Sequence, residues 1–423
     1  MTARARRIAG LGVILRAEDY VSLVSTAPSP EALRAEFLLD PDVIFLNHGS
    51  FGATPEPVFR EYQRWQRELE RQPVAFLGRN ADRLLDEARA KMASFIGCNA
   101  DELAFNPNPT TGVNVVARSL RLQPGDEILG TDLEYGACER TWEWFTAKQG
   151  ARYVRAHIPL PVTDPEAVVE AIFAAVTPRT RAIFVSHITS GTALRLPVED
   201  ITRRAHALGL LSIVDGAHAP GQIPVNLHNL GADFYAGTFH KWTCAPKGCG
   251  FLYAAPQHHG WTESPIVSWG WVEGREQHRP DNVFISRNQM QGTRDLAAYL
   301  AAPSAVEFLE SHHWDAVRER CHELVVDARN RIAAHFDLPQ ICPEASGDFG
   351  WFRQMATIPV PSATDPVALK GRLYDDYRIE IPVTIVDGKP MLRISIQGYN
   401  GPDDVEALVT AVADLVPSIQ GAA

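Results

Sequence analysis

Residues 233–254 read DFYAGTFHKWTCAPKGCGFLYA. An apolar run with the composition of a buried strand stops at Gly237-Thr238, and His240-Lys241-Trp242 follows. A turn broken by Pro246 and Gly248 leads into a second apolar strand. A lysine just past the end of a buried strand is either a solvated loop charge or a reactive amine. The rest of the chain decides between the two.

Working outward, helical patterns alternate with short β-rich runs. Residues 57–72 place Phe59, Tyr62, Trp65 and Leu69 at helical spacing, with Thr54 as a candidate cap and Pro57 in the first turn. A second amphipathic helix is predicted over 79–96 and stops at Gly97. ELAF, a helix from about Thr110, DEILG, a helix over 136–148, RYVRAHI and a helix over 165–176 come next. RAIFVSHI, a helix near 199–208, LLSIVD, ADFYAG and GCGFLYA complete the run. Such alternation predicts an α/β fold with a mainly parallel sheet covered by helices on both faces. Ligands of such sheets gather at the carboxyl ends of the strands.

The residues just past each strand are therefore informative. Thr110, Thr111 and Gly112 come after ELAF and open a helix whose free N–H groups and hydroxyls can cradle an anion, or simply cap it. Tyr135 comes after DEILG, either as a plate for a flat ligand or as a core plug. Ser186, His187 and Thr189 stand at the end of RAIFVSHI, where a rim histidine is more often structural. Asp215 ends LLSIVD, with His218 three residues later. A carboxylate at that depth needs a cationic or hydrogen-bonded partner, or serves as a helix cap. Together with Lys241 these ends describe a seat for pyridoxal 5'-phosphate. The phosphate takes Thr110 and Thr111 with Thr238 and His240, and the ring stacks on Tyr135. Asp215 keeps the pyridine nitrogen protonated, and His218 bonds either that carboxylate or the ring's phenolic oxygen. Lys241 forms a Schiff base with the aldehyde and, once displaced, moves the α-proton.

At this point the sequence resembles the fold-type I pyridoxal-phosphate enzymes of aminotransferase class V, in their isopenicillin N epimerase-like branch. The likeness runs through FLNHGSFGATP (45–55), NPTTGVN (108–114), EYGA, SHITSGT, VDGAHAPGQ (214–222) and DFYAGTFHKW, then QGTRD (291–295), YRIE (377–380) and LRISIQGYN (392–400). It implies catalytic roles for Lys241, Asp215, His218 and Tyr135. It implies a phosphate site of Thr110, Thr111, Thr238 and His240, joined by Gly292 and Thr293 from a neighbouring subunit. A homodimer with shared active sites is the consequence. Arg393 resembles the arginine that grips a substrate α-carboxylate, and Asn47 and His48 would line the substrate cavity. The implied organisation is a leader over 1–30, a large cofactor-binding domain over 31–300 and a smaller α+β C-terminal domain over 301–423. The shared step is loss of an α-proton to a quinonoid carbanion. Epimerisation of an amino acid or an amino-acid-containing metabolite comes first, with β-eliminating C–S cleavage or aminotransfer as the alternatives. The second acid/base group that epimerisation needs stays open between His48, Tyr135 and a water.

Composition removes other classes. With 423 residues and a net charge of -11, the chain is large enough for two or three domains and too acidic for nucleic acid or anionic membrane as main partner. No apolar run reaches the roughly 18 residues of a membrane span. Arg4, Arg6 and Arg7 before IAGLGVIL resemble an export signal, but Arg16, Glu18 and Asp19 interrupt it and no small-residue cleavage pattern comes after it. Six scattered cysteines agree with a reduced, cytoplasmic protein. No metal-ligand spacing and no phosphate-binding GxxxxGK[ST] loop occurs. The interval IPVTIVDGKPML (381–392) lacks the cysteine that desulfurases carry before their carboxylate-binding arginine, which disfavours persulfide chemistry.

Overall fold

The computed structural model describes residues 27–271 and 282–419, and the backbone of a two-residue strand pair, Arg6–Arg7 with Ile14–Leu15. Apart from that pair, the leader expected over 1–30 lies outside the described residues as far as position 26.

Seven strands form the main sheet. They are β1 (Leu103–Asn106), β2 (Glu127–Thr131), β3 (Arg152–Ala156), β4 (Thr180–Ser186), β5 (Leu211–Gly216), β6 (Phe234–Thr238) and β7 (Gly250–Ala254). Their spatial order is β1-β7-β6-β5-β4-β2-β3. Only β7 runs against the others, pairing antiparallel with β6 and β1. Period-2 alternation sends side chains to both faces. Phe184, Ile213 and Phe234 enter one apolar cluster with Val113, Val116 and Trp142. Ile183, Val185, Val214 and Tyr235 enter the other with Val198 and Ile201. Burying each such side chain stabilises the fold by roughly 1.5–3 kcal/mol.

The covering helices lie close to their sequence-predicted places: α1 (Glu56–Arg71), α2 (Ala81–Phe95), α3 (Pro109–Ser119), α4 (Gly136–Lys148), α5 (Pro165–Phe173) and α6 (Val198–Ala207). Two expectations need correction. The α5 helix stops at Ala174, short of residue 176. Thr54 does not cap α1, whose N-cap is Pro55; its hydroxyl donates to the Ala245 carbonyl at 3.2 Å. Beyond the sheet, α7 (Ala297–Ser311) and the long α8 (Trp314–Phe336) lead to a three-stranded antiparallel sheet. It is built from β8 (Met355–Pro359), β9 (Val383–Val386) and β10 (Lys389–Ser395) and covered by α9 (Pro366–Tyr377) and α10 (Pro402–Leu415). Residues 44–46 run beside 379–380, with the Ile44 N–H on the Arg378 carbonyl and the Leu46 N–H on the Glu380 carbonyl. The first described segments are thereby tied to the last third of the chain.

Candidate active site

Because β2, β4, β5 and β6 are parallel, their carboxyl ends converge on one rim. There a cavity of about 310 Å³ is lined by Ser50, Thr110, Tyr135, Ser186, Ser190, Asp215, His218, His240 and Lys241, among others. The structure thus brings together residues that the sequence scatters between Ser50 and Lys241.

Lys241 Nζ lies 3.2 Å from His218 Nε2. The Trp242 indole N–H donates to His218 Nδ1 at 3.3 Å, so a neutral His218 carries its proton on Nε2, facing the lysine. Burial, then the Lys241 charge, holds His218 well below the usual imidazole range. Burial and the Arg393 charge bring the Lys241 amine down to about 8, so the neutral form that attacks an aldehyde is accessible near physiological pH.

Asp215 is 3 % exposed. Its Oδ1 accepts the Ala217 N–H at 2.9 Å, and its Oδ2 faces the Cys138 thiol at 3.4 Å. Burial raises its pKa, against the smaller pull of Ala217 and Lys241. A buried carboxylate with so little compensation suits a cationic N–H donor, which is what a protonated pyridine nitrogen supplies. The α3 N-terminus adds an anion cradle. Asn108 caps it by accepting the Thr111 N–H at 2.9 Å, and Thr110 faces the cavity. The residues present therefore fit pyridoxal phosphate.

Several predicted residues sit elsewhere. The Thr111 hydroxyl turns to Asn108 at 3.2 Å. Thr238 is fully buried behind His240; its hydroxyl meets His240 Nδ1 at 2.6 Å and the Cys249 carbonyl at 2.9 Å. Thr238 can therefore orient the histidine but does not face the cavity. Tyr135, 48 % exposed, stands at the mouth as the N-cap of α4. Arg393 is behind the wall, donating to Ser50 Oγ and to the Ser190 carbonyl, each at 2.8 Å. Asn47 belongs to the same cluster: its Oδ1 accepts from Ser50 and its Nδ2 donates to Glu380. Gly292 and Thr293 are exposed and do not line this cavity.

The expectation that His48 lines the cavity is corrected. Its ring is wholly buried, with Nδ1 on the Tyr399 hydroxyl at 2.9 Å and Nε2 on the Lys241 carbonyl at 3.0 Å. Burial lowers its pKa to about 3, so it acts as a neutral clasp on the lysine turn and is not an acid/base candidate. Gly52 seats the same segment: its φ is +70°, and a Cβ there would stand 2.0 Å from the His240 carbonyl oxygen.

Sequence reasoning passed over Ser50, Ser190 and Glu134. A serine carries no periodic signal, although Ser50 lies inside the quoted FLNHGSFGATP and Ser190 inside SHITSGT. None of the six cysteines faces the cavity, and among the described residues no group of His, Cys, Asp and Glu is arranged to hold a metal. No described helix is long and apolar enough to cross a membrane.

Comparison with known proteins agrees with this geometry. Residues 52–345 match the family described as aminotransferase class-V. The isopenicillin N epimerase of Amycolatopsis lactamdurans is 38% identical over 391 residues, covering 90% of this chain and 97% of its own length. An L-cysteine desulfhydrase of Arabidopsis thaliana is 25% identical, covering 88% of this chain and 87% of its own. Among solved structures, C-DES with glycine covalently linked to its pyridoxal-phosphate cofactor superposes with a TM-score of 0.76 at 19% identity. That likeness covers 90% of this chain and 99% of C-DES, and it places the chain in the fold-type I architecture.

Proposed function

Because the chain belongs to the aminotransferase class-V family, we propose that its cavity holds pyridoxal phosphate and acts on the α-carbon of an amino acid or amino-acid-containing metabolite, as an epimerase. Bound there, the cofactor supplies an electron sink that acidifies the hydrogen on that carbon. Lys241 would hold the aldehyde and, once the substrate amine displaces it, would move the α-proton on one face, while Tyr135 or a water would serve the opposite face. Asp215 holds the ring nitrogen's proton, and His218 keeps its own Nε2 proton toward the lysine and the phenolic oxygen. Tyr135, at the cavity mouth, would stack on the ring and shield it from water. Thr110 and His240 would hold the phosphate, with Thr238 fixing His240, and Thr111 would join them only by giving up its bonds to Asn108. Arg393, which holds Ser50 and Ser190 at the cavity wall, would receive the substrate carboxylate by exchanging those bonds for it, with Asn47 beside it. Gly292 and Thr293, exposed on this chain, serve the site of a second copy in a homodimer.

One observation carries the reading: a lysine amine 3.2 Å from a buried imidazole, in the same cavity as a buried carboxylate whose side-chain oxygens meet, among the described residues, only the Ala217 N–H and the Cys138 thiol. Borohydride reduction of the coloured protein followed by peptide mapping should place the cofactor on Lys241; a tag on another lysine rejects the assignment. Incubation in heavy water should then exchange the α-hydrogen of both recovered substrate and product. Retention of that hydrogen throughout excludes epimerisation.

A second reading, β-elimination with C–S cleavage, is favoured by the likeness to an L-cysteine desulfhydrase. Release of pyruvate, ammonia or a thiol would select it. Transfer of nitrogen to a keto acid would select aminotransfer. With no cysteine facing the cavity, persulfide formation on the enzyme has no nucleophile among the described residues.

A further inference from the structure

Behind the cavity wall lies a second buried carboxyl that takes no part in the lysine chemistry. Glu134, 8 % exposed, ends the turn after β2, one residue before Tyr135. Its Oε1 is 2.6 Å from the Thr131 hydroxyl, and its Oε2 is 2.6 Å from the Ser186 hydroxyl. Ser186 lines the cavity and is the cross-strand neighbour of Asp215 in the β4–β5 ladder.

Local donors and acceptors fix the direction of these bonds. Thr131 Oγ1 already accepts the Leu133 N–H, at 3.2 Å, so its own proton is free to go to Glu134 Oε1. An acid proton on Glu134 therefore belongs on Oε2, where it faces Ser186 Oγ. When Glu134 holds that proton, Ser186 accepts it and its own O–H is free to turn to the cavity. When Glu134 is ionised, the Ser186 hydroxyl must turn back and donate, leaving a lone pair on the cavity side.

The surroundings favour the protonated form. The Thr131 hydroxyl from β2 and the Ser186 hydroxyl and backbone N–H from β4 face the carboxyl and pull it down, but burial outweighs them, and the other titratable groups near it are Asp215 on β5, the Cys138 thiol on α4 and the Tyr153 hydroxyl on β3. None of these is a cation, and two carboxylates in one dry pocket do not both ionise readily. Burial first, with Asp215 adding to it, pushes Glu134 up to about 8.

We propose that Glu134 is a positioning residue: as a carboxylic acid it aims the Ser186 hydroxyl into the cavity beside Asp215, and its ionisation reverses that hydroxyl and places a second anion behind the site. This rests on the cavity being the cofactor seat. It adds a proton switch that the lysine chemistry does not contain.

The test uses the cofactor-loaded enzyme and its Glu134→Gln and Ser186→Ala variants. Infrared difference spectra should show a carboxylic-acid band in the wild type that disappears as pH rises through the region of about 8 and is missing from Glu134→Gln. Ser186→Ala should keep that band. Because glutamine mimics the protonated acid, the bound cofactor's absorbance titration in Glu134→Gln should follow the wild type below about 8 and lose the further inflection that ionisation of Glu134 adds above it. A coloured wild type without a Glu134 acid band, or a Glu134→Gln titration that overlays the wild type at every pH, overturns the inference. A wild type that binds no cofactor rejects the seat instead. The infrared band reads the carboxyl with or without cofactor, so the two failures are distinguishable.

Discussion

Lys241 is placed by its neighbours more than by its own chemistry. Replacing it with alanine removes both the covalent hold and the mobile base. Activity should fall by at least roughly 10²–10⁴-fold, the range for losing a general acid–base, and dialysis should strip the colour. Trp242→Phe is subtler. It removes the donor to His218 Nδ1 and leaves that atom buried without a partner, which costs about 1–3 kcal/mol. The other tautomer of His218 then becomes available. Turnover should drop and its pH profile should change, while circular dichroism remains that of the parent. Retention of the parental pH profile would mean that the indole only packs. The amine pKa of about 8 gives a third outcome: apoprotein should load cofactor faster as pH rises, with half-maximal rate near that value.

At the scale of elements, the lysine turn is held by the segment around Gly52 and shares the cavity with the α3 N-terminus. Gly52→Ala forces a side chain into a positive φ and against the His240 carbonyl, a strain of roughly 1–3 kcal/mol that a shift in denaturant midpoint will report. Asn108→Ala removes the α3 cap, at about 1 kcal/mol of stability, and should also weaken cofactor retention measured by equilibrium dialysis. These elements were legible in the sequence to different degrees. The helix over 136–148 matched residue for residue, because its apolar period and flanking residues are local. The strand ends could be read because a parallel sheet brings every carboxyl end to one rim. Thr54 misled because its hydroxyl is claimed by a carbonyl 191 positions away. His48 misled for the same reason: Tyr399 and the Lys241 carbonyl decide where its ring points, and no local pattern encodes that. Arg393 could be found by motif, but the serines in front of it could not.

For the whole molecule, buried neutral histidines set the acid limit. His48 and His187 titrate near 6.5 when unfolded and at about 3 in the fold, burial being the leading cause for both. Between those values the unfolded chain binds more protons, so stability is lost as pH falls from 6.5 toward 3, by about 1.4 kcal/mol per unit for each ring. Urea midpoints at neutral pH and in mild acid should show that slope, and His48→Gln should flatten it. The proposed homodimer has its own test. Mixed and refolded Lys241→Ala and Gly292→Trp chains should recover roughly a quarter of wild-type activity if each site draws on both copies. Recovery of none would place the whole site in one chain.

The clasp on the lysine turn also bears on how the protein is made. His48 leaves the ribosome early, yet its ring is fixed by Tyr399, and Arg393 reaches Ser50 across more than 340 positions. Contacts of such sequence separation form late, after the intervening chain has been synthesised and folded. A nascent polypeptide halted before residue 393 would carry the lysine, the aspartate and the main sheet but not the finished turn. Ribosome-bound chains halted before that residue should therefore fail to retain pyridoxal phosphate, whereas the released full chain should hold it; retention by the halted chain would show that the clasp is not needed for capture.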